Sequence, residues 1–255
     1  MSGQVRLERR GRVGWVMLDR PEAGNALTVP MRAQAIDALH EAGSDDGLTA
    51  VAVTGVGSTF CTGGDITTMP EVETAWQGRS RTTSAQSLVR ALIELEKPTL
   101  AVAPGTVAGL GVSIFAACDL RLAVPNTSFV PAFPAVGLIP DGGLLYILPR
   151  LIGWGRAREW LLLNYPLEAE QALAWGLVSH LAEAAGLESL AAQLSERLAQ
   201  FPLQALALTR SGLRLSAESS WESMLEFERT VQGSLITSDE ARAKVREFLE
   251  RRSPS

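Results

Sequence analysis

Two glycine-containing loops carry the residues best suited to chemistry on a small substrate. Residues 59–65 read TFCTGGD and residues 105–113 read GTVAGLGVS, and each stretch follows a predicted strand. Glycine lets the backbone approach a ligand closely and adopt positive φ, while N–H groups at a helix start carry the positive end of the helix dipole. Two such loops on neighbouring strands could direct two N–H donors at one oxygen atom, as an oxyanion hole does. Both loops are also compatible with ordinary tight turns.

A third segment contains a carboxylate in apolar surroundings. Residues 136–143 read VGLIPDGG, and Asp141 stands directly before a helix predicted over about 142–149. Asp is a good helix N-cap, so a structural role is one interpretation. Apolar surroundings also raise the pKa of a carboxyl group and bring a general base towards neutrality. Both roles are open, and one carboxylate could fill both.

Other candidate motifs lack residues that their functions require. Residues 109–114 begin a GxGxxG pattern, but Ile114 stands where the third glycine of a dinucleotide site is needed. Ser113 is not a nucleophile elbow, because GxSxG requires glycine where Phe115 stands. His40 and His180 have no accompanying carboxylate motif and are interpreted as structural residues.

The composition limits the classes of protein that the chain can represent. Its 255 residues are 46% hydrophobic and 20% charged, which permits a sizeable buried core in one large α/β domain. The net charge of −5 argues against a nucleic-acid partner, and two cysteines make neither a disulfide framework nor a metal site. No apolar run is long enough to span a bilayer, and residues 1–6 lack an apolar signal core. We therefore expect a soluble, cytoplasmic enzyme that makes no membrane contact.

Hydrophobic patterning predicts strands and helices that alternate and then give way to helices alone. Residues 66–82 are too polar to assign and are predicted as a mobile loop. In the C-terminal part, Met224, Phe227, Val231 and Leu235 repeat at helical spacing. The pattern indicates an α/β core with a helical C-terminal extension. The predicted strands are 4–9, 13–19, 51–53, 99–103 and 120–124, and the predicted helices are 28–42, 84–96, 111–118 and 142–149.

Five blocks of sequence together resemble the crotonase superfamily, which is also called the enoyl-CoA hydratase/isomerase family. They occur in the family's order and cover nearly the whole chain. The resemblance implies an α/β fold, a crotonase-like spiral of ββα units over residues 1–195, with a C-terminal helical oligomerisation region at 196–255 and a homotrimer or hexamer as the assembly. The blocks are LDRPEAGNAL (18–27), FCTGGDI (60–66), AACDL (116–120), GLIPD with LPRLIG (137–141 and 148–153) and ALAWGLV (172–178).

The resemblance also implies which residues form the site. The backbone N–H groups of Gly64 and Leu110 would form the oxyanion hole, hold the thioester oxygen and stabilise an enolate. Asp141 would be the catalytic carboxylate, and the substrate would be an acyl thioester. No cofactor is expected apart from the CoA or phosphopantetheine of that substrate. The expected substrate-binding residues are Ala23, Cys61, Gly63, Asp65, Ile66, Gly109, Ser113 and Phe133.

The sequence departs from the family's hydratases at their two glutamates. Those residues activate one water molecule, and here the positions hold Ser113 and, at about the second, Phe133. Asp141 matches the position where many family isomerases carry a single acid, and where aryl-CoA dehalogenases carry a nucleophile. The sequence therefore predicts a double-bond isomerase that shifts a proton between C2 and C4. The alternatives are another crotonase reaction, such as hydration or decarboxylation, and a non-catalytic acyl-thioester binder.

A second departure concerns the carrier of the acyl group. Members that bind free CoA often place basic residues at the positions held here by Gly24 and Thr67, where they meet the CoA phosphates. Arg79 or Arg81 could substitute for them. A substrate on an acyl carrier protein would need no such contacts, so that protein is a second candidate partner.

Overall fold

Two β-sheets form the centre of the fold in the computed structural model, which describes residues 3–251. In the first sheet, β1 pairs antiparallel with β2, and every other neighbouring pair is parallel. In spatial order this sheet contains β1 (Gln4–Arg10), β2 (Val13–Asp19), β3 (Ala50–Gly55), β5 (Thr99–Ala103), β7 (Leu120–Ala123) and β10 (His180–Leu181). The second sheet contains β4 (Thr59–Cys61), β6 (Thr106–Ala108), β8 (Ser128–Val130) and β9 (Leu167–Glu168).

The helices complete a repeating unit. Three times the chain runs from a strand of the first sheet to a short strand of the second and then into a helix, as β3–β4–α2, β5–β6–α3 and β7–β8–α4. This repetition confirms the expected spiral of ββα units. No helix within residues 3–251 has the length and apolar composition needed to cross a bilayer. The helices are α1 (Val29–Ser44), α2 (Ala75–Glu94), α3 (Leu110–Ala117), α4 (Leu144–Ile152), α5 (Trp154–Leu163), α6 (Ala169–Trp175), α7 (Ala184–Leu198), α8 (Leu203–Ser216), α9 (Trp221–Ile236) and α10 (Asp239–Glu250).

The first sheet is buried on both faces, which explains the continuous apolar runs of its strands. Val51 and Val53 face the larger core, which includes residues of the second sheet and of helices α1 to α5. Trp15 and Ala52 point the other way, into a smaller core that α7 covers with Leu187. Because each central strand packs against other elements on both sides, the start and end of each strand are well fixed. The loops that follow these strands are fixed with them.

The prediction of a mobile loop over 66–82 is wrong for its second half, because α2 begins at Ala75. Thr74 caps this helix, its side chain accepting a hydrogen bond from the Gln77 N–H while the Gln77 side chain accepts from the Thr74 N–H. The first two turns are polar, and only the later part of the helix buries apolar residues. Hydrophobic periodicity therefore starts well after the helix does. The short strands β4 and β6, which lie within segments predicted as loop or turn, contain too few residues to show a pattern.

The apolar stripe of α9 packs partly against α8 of the same chain. Phe227 lies so close to Gly212 that a β-carbon at Gly212 would stand 2.9 Å from the Phe227 ring. Arg210 on α8 fastens this pair of helices to the core, with its Nε donating to Asp119 Oδ2 at 2.7 Å. All four residues of the stripe remain half-buried, so α8 covers only part of it.

Gly111, in the first turn of α3, allows this helix to begin directly against β4. A β-carbon at Gly111 would lie 2.3 Å from the Cys61 carbonyl oxygen, a distance that requires backbone to move. We expect Gly111→Ala to lower the free energy of unfolding by about 1–3 kcal/mol, the usual effect of overpacking. Denaturant unfolding followed by circular dichroism measures this change.

The matched control is Gly155→Ala in α5, where an added β-carbon meets no atom within 4 Å. This variant should be as stable as the wild type or slightly more stable, because alanine favours helix. Equal unfolding free energies for Gly111→Ala and Gly155→Ala would contradict the close approach of α3 and β4.

Candidate active site

A cavity of about 720 Å³ opens between the two glycine loops, the start of α1, α2 and the segment before α4. Its wall is mostly apolar, with five charged residues among the side chains that line it: Arg20, Arg32, Asp65, Arg81 and Asp141. The cavity brings together eight of the predicted site residues. These are Ala23, Gly64, Asp65, Ile66, Gly109, Leu110, Phe133 and Asp141.

Three predicted substrate-binding residues, Cys61, Gly63 and Ser113, lie behind the wall and do not line the cavity. Cys61 is fully buried, and its Sγ accepts a hydrogen bond from the Gly63 N–H at 3.3 Å. Burial raises the pKa of the Cys61 thiol to about 12, so the thiol stays protonated and is no nucleophile. These three residues lie behind the lining residues and support them.

The backbone around Gly64 leaves its N–H group available to the cavity. Leu27 donates its N–H to the Gly63 carbonyl at 2.8 Å and accepts the Asp65 N–H at 3.0 Å. Gly64 lies between these two bonds in a parallel bridge with Leu27, where the N–H of the middle residue points away from the partner strand. The Gly64 N–H is therefore directed away from Leu27, and Gly64 itself lines the cavity.

The second predicted donor, Leu110, stands next to the first. Leu110 is the first residue of α3, so its N–H has no acceptor within the helix. A β-carbon at Gly63 would lie 3.1 Å from the Leu110 nitrogen, and Gly63 itself has a φ of 109°. Only glycine allows the two loops to approach this closely. Two backbone donors, the N–H groups of Gly64 and Leu110, thus lie on one wall of the cavity.

Asn25 holds the opening motif against the first glycine loop. It adopts a left-handed conformation with a φ of 56°, which Asn tolerates better than most residues. Its side-chain amide donates to the carbonyls of Val56 at 3.0 Å and Thr59 at 2.7 Å, and its Oδ1 accepts the Arg20 N–H. The buried amide thus fixes both sides of the β3–β4 connection, and the Asn of the motif has a structural role.

Asp141 is held in place by its backbone, and the alternative interpretation of Asp141 as the N-cap of α4 does not agree with the structure. The N-cap of α4 is Gly143, whose left-handed conformation shifts the helix start to Leu144. The Asp141 carbonyl instead accepts a hydrogen bond from the Ser113 hydroxyl at 2.9 Å. The next residue, Gly142, packs so closely that a β-carbon there would lie 2.8 Å from Leu110 Cδ1. The carboxylate is therefore anchored beside the first turns of α3.

The Asp141 carboxyl group is in an environment that suits proton transfer. Its Oδ1 is buried and has no hydrogen-bond partner within the described residues. Burial raises the pKa of Asp141, and the positive charges of Arg32 and Arg81 partly oppose this rise. A carboxyl group with a raised pKa and one oxygen without a hydrogen-bond partner, beside two backbone donors, can accept and return a proton.

Three arginines line the cavity; no role was predicted for Arg20 or Arg32, and Arg81 was named only as a possible contact for CoA phosphates. Arg20 forms an ion pair with Asp65 at 2.8 Å, and hydrogen bonds from Thr67 and Arg20 lower the pKa of Asp65 although burial acts to raise it. Arg81 donates to Thr68 Oγ1 and to the Asp65 carbonyl. The signal for Arg32 was present in the sequence, because it lies on the apolar face of the predicted helix 28–42. A charged residue on such a face is one that the core does not explain.

Comparison with known proteins agrees with the fold. The model of the enoyl-CoA hydratase/isomerase family matches residues 8–255. The 1,2-epoxyphenylacetyl-CoA isomerase of Escherichia coli is 33% identical, over 93% of this chain and 92% of that protein. The trans-2-decenoyl-[acyl-carrier-protein] isomerase of Streptococcus mutans is 30% identical, over 95% of this chain and 93% of that protein. The crystal structure of an enoyl-CoA hydratase from Polaromonas sp. JS666 superimposes with a TM-score of 0.94 at 27% identity, covering 99% of each chain.

The chain belongs to the enoyl-CoA hydratase/isomerase family, and its structure has the crotonase fold. Its activity is accordingly of the enoyl-CoA hydratase/isomerase type. The predicted resemblance to this family is confirmed.

The environment of Asp141 has a consequence for stability. Because folding raises the pKa of this acid, its contribution to stability is present below the unfolded pKa and is lost as the pH rises through the folded pKa. We expect Asp141→Asn to unfold at a higher temperature than the wild type at pH 7. The difference should shrink as the pH falls towards 4, as measured by differential scanning calorimetry.

The control for this experiment is Asp37→Asn, which removes the same charge from an exposed position of α1. It should show no comparable gain at pH 7. A lower melting temperature for Asp141→Asn than for the wild type at pH 7 would show that the carboxylate stabilises the fold.

Proposed function

We propose that the protein isomerises the double bond of an enoyl thioester, with Asp141 as the group that carries the proton. The observation that carries this proposal is the state of the two carboxylates in the cavity. Asp65 is engaged in an ion pair with Arg20, whereas Asp141 has no ion pair within the described residues. One free carboxylate beside two backbone donors is sufficient for a 1,3-proton shift.

In the proposed mechanism the thioester oxygen accepts hydrogen bonds from the N–H groups of Gly64 and Leu110. The Asp141 carboxylate removes a proton from C4 of a 2-enoyl thioester, and the electron pair moves through C3 and C2 onto the thioester oxygen. The resulting dienolate is stabilised by the two donors. Protonated Asp141 then returns the proton at C2, which gives the 3-enoyl thioester. The reverse reaction uses the same steps, and no atom is gained or lost.

The wall of the cavity gives little support to the addition of water. At the two positions where family hydratases carry glutamates, Ser113 is fully buried and its hydroxyl donates to the Asp141 carbonyl. Phe133 presents an apolar side chain to the cavity and is 7% exposed. Hydration needs groups that hold and activate a water molecule, and these two side chains supply neither an acid nor a base.

The proposal also covers the carrier of the acyl group, which is CoA or an acyl carrier protein. Recognition of the thioester by backbone N–H groups would serve CoA and an acyl carrier protein equally. Thr67, at one position where a basic residue would meet CoA phosphates, donates its N–H and its hydroxyl to Asp65 Oδ1. Arg81 lines the cavity and is bound to Thr68 and Asp65, while Arg79 is exposed on α2. We propose both carriers as partners, and the Streptococcus relative named above supports the second.

Replacing the proposed acid tests the mechanism. Asp141→Asn should reduce turnover of an enoyl thioester by about 10²–10⁴-fold, the usual contribution of one general acid–base group. Binding of a saturated acyl thioester should change little, since the thioester contacts are made by backbone. Turnover is followed by NMR and binding by calorimetry, with Asp37→Asn as the charge-matched control. Wild-type turnover in Asp141→Asn would remove Asp141 from the mechanism.

An isotope label tests whether one carboxylate serves both ends of the substrate. A 2-enoyl thioester deuterated at C4 should give a 3-enoyl product that keeps part of its deuterium at C2. The retained label follows from a single acid that returns the proton it removed before exchange with water is complete. Complete loss of the label, together with full activity of Asp141→Asn, would require a different proton carrier.

We also propose that the protein acts as a homotrimer or a hexamer. Apolar side chains on α4 and α5 remain exposed, with Leu145 at 51%, Trp154 at 69% and Leu162 at 75%. Exposed apolar surface of this kind favours association. Light scattering at micromolar concentration should give three or six times the mass of one chain. A monomeric mass would contradict the proposed assembly.

A further inference from the structure

Arg32 is a buried cation without an anionic partner. It is 3% exposed, it lines the cavity, and its Nη1 donates to the Arg81 carbonyl at 3.0 Å. Its Nε is buried and has no hydrogen-bond partner within the described part of the chain. Arg20 provides a contrast, because it faces the same cavity but forms an ion pair with Asp65. Arg32 therefore has no direct ion pair among the described residues, and the carboxylates of Asp141 and Asp65 compensate its charge only in part and from a distance.

The charged side chains that line the cavity also have a positive balance. Its lining carries three guanidinium groups against two carboxylates, and one of those carboxylates is used by Arg20. Burial lowers the pKa of the Arg32 guanidinium, which reflects the energy needed to hold this charge away from water. A buried charge without a partner is strongly unfavourable. An apolar acyl chain would gain nothing from it, whereas an anionic ligand would supply the missing partner.

One edge of the guanidinium makes no hydrogen bond within the described residues, although its Nε is buried. Nε and Nη2 are its adjacent nitrogens on one side, and the hydrogen bond to the Arg81 carbonyl uses Nη1. Nη2 lies next to the glycine loop, since a β-carbon at Gly64 would stand 2.6 Å from it. A group bound there would lie close to the thioester carbonyl. This position fits a substituent of a short acyl chain.

We propose that Arg32 forms a subsite for a carboxylate on the acyl group, so that the preferred substrates are thioesters of short dicarboxylic acids. The proposal rests on the proposed function for the position of the thioester at Gly64 and Leu110. The guanidinium binds the carboxylate through Nη2, and the cation that has no direct ion pair becomes half of one. Arg32 is then the residue that determines specificity for this acyl group.

Binding of saturated thioesters tests the subsite without any reaction. Two matched pairs differ only by a terminal carboxylate in place of a methyl group: glutaryl-CoA with pentanoyl-CoA, and malonyl-CoA with propionyl-CoA. In calorimetric titrations the wild type should bind the acid of at least one pair about 10–100-fold more tightly, as expected for hydrogen bonds to a charged group. Equal or weaker binding of both acids would overturn the proposal.

Variants assign any preference to Arg32. Arg32→Met keeps the length of the side chain and should abolish the preference, while Arg32→Lys should retain part of it. Arg90→Met, on the exposed face of α2, removes the same charge outside the cavity and should keep the full preference. Arg32→Met should unfold at the wild-type temperature or above it, because an unpaired buried charge is lost. If Arg32→Met weakens both members of each pair equally, Arg32 acts on the thioester and the subsite is refuted.

Asp141→Asn separates this proposal from the isomerase mechanism. It should keep the binding preference for the carboxylated ligand and lose turnover. Full turnover in Asp141→Asn would refute the isomerase mechanism and leave the binding result to decide the subsite. Loss of turnover in Asp141→Asn, with no preference for acids in the wild type, would refute the subsite and leave the mechanism standing.

Discussion

The contact between two backbone segments, the loop at residues 62–64 and the first turn of α3, is the constraint on which the site depends. A side chain at Gly63 would press on the Leu110 nitrogen, and one at Gly111 would overlap the Cys61 carbonyl. Glycine at both positions lets the segments meet, and both N–H donors lie on one wall as a result. The second sheet makes this contact possible, because β4 and β6 are neighbouring parallel strands and each leads into one of the two segments. The proposed oxyanion hole would thus be made by the backbone, and Leu at position 110 is compatible with it.

The carboxylate is positioned by the same contact. The Ser113 hydroxyl, on the second turn of α3, holds the Asp141 carbonyl, and Gly142 packs against Leu110. One helix therefore sets the distance between the donors and the acid. Ser113 occupies a position where family hydratases carry an acid, and here it has become a support for another acid. Burial of Asp141 and Arg32 lowers stability, and such unfavourable groups are typical of sites that bind or react with a ligand.

Much of the fold could be predicted from sequence because its central strands are buried on both faces. Their apolar runs are long enough to be recognised, and β2 has the predicted bounds of 13–19. The strands of the second sheet were missed because β4, β6 and β8 have three residues each. The start of α2 was missed because its first turns depend on the capping box of Thr74 and Gln77 and bury little apolar surface.

The parts of the candidate site that contain a recognisable backbone motif could be predicted from the sequence. The parts that depend on contacts between distant residues could not be predicted as well. The glycine-containing loops indicated possible backbone donors, the family resemblance indicated Gly64 and Leu110 in particular, and both residues line the cavity. A helix cap at Asp141 was one open interpretation, and the cap is instead Gly143, because two consecutive left-handed glycines delay the helix. Arg32 could not be assigned a role from sequence, since its lack of a partner depends on residues 49 and 109 positions away along the chain. Only the folded chain shows that Arg81 accepts a hydrogen bond from Arg32 through its backbone carbonyl and that Asp141 forms no ion pair with Arg32.

The central claim is that a lone carboxylate beside two backbone donors moves a proton and does not add water. The most direct measurement is the product formed from a 2-enoyl thioester by the wild-type protein, followed over time by proton NMR. The account predicts that the 3-enoyl isomer grows until it reaches equilibrium while signals of a 3-hydroxyacyl thioester stay at the level of the uncatalysed sample. A 3-hydroxyacyl thioester as the main enzymatic product would contradict the account.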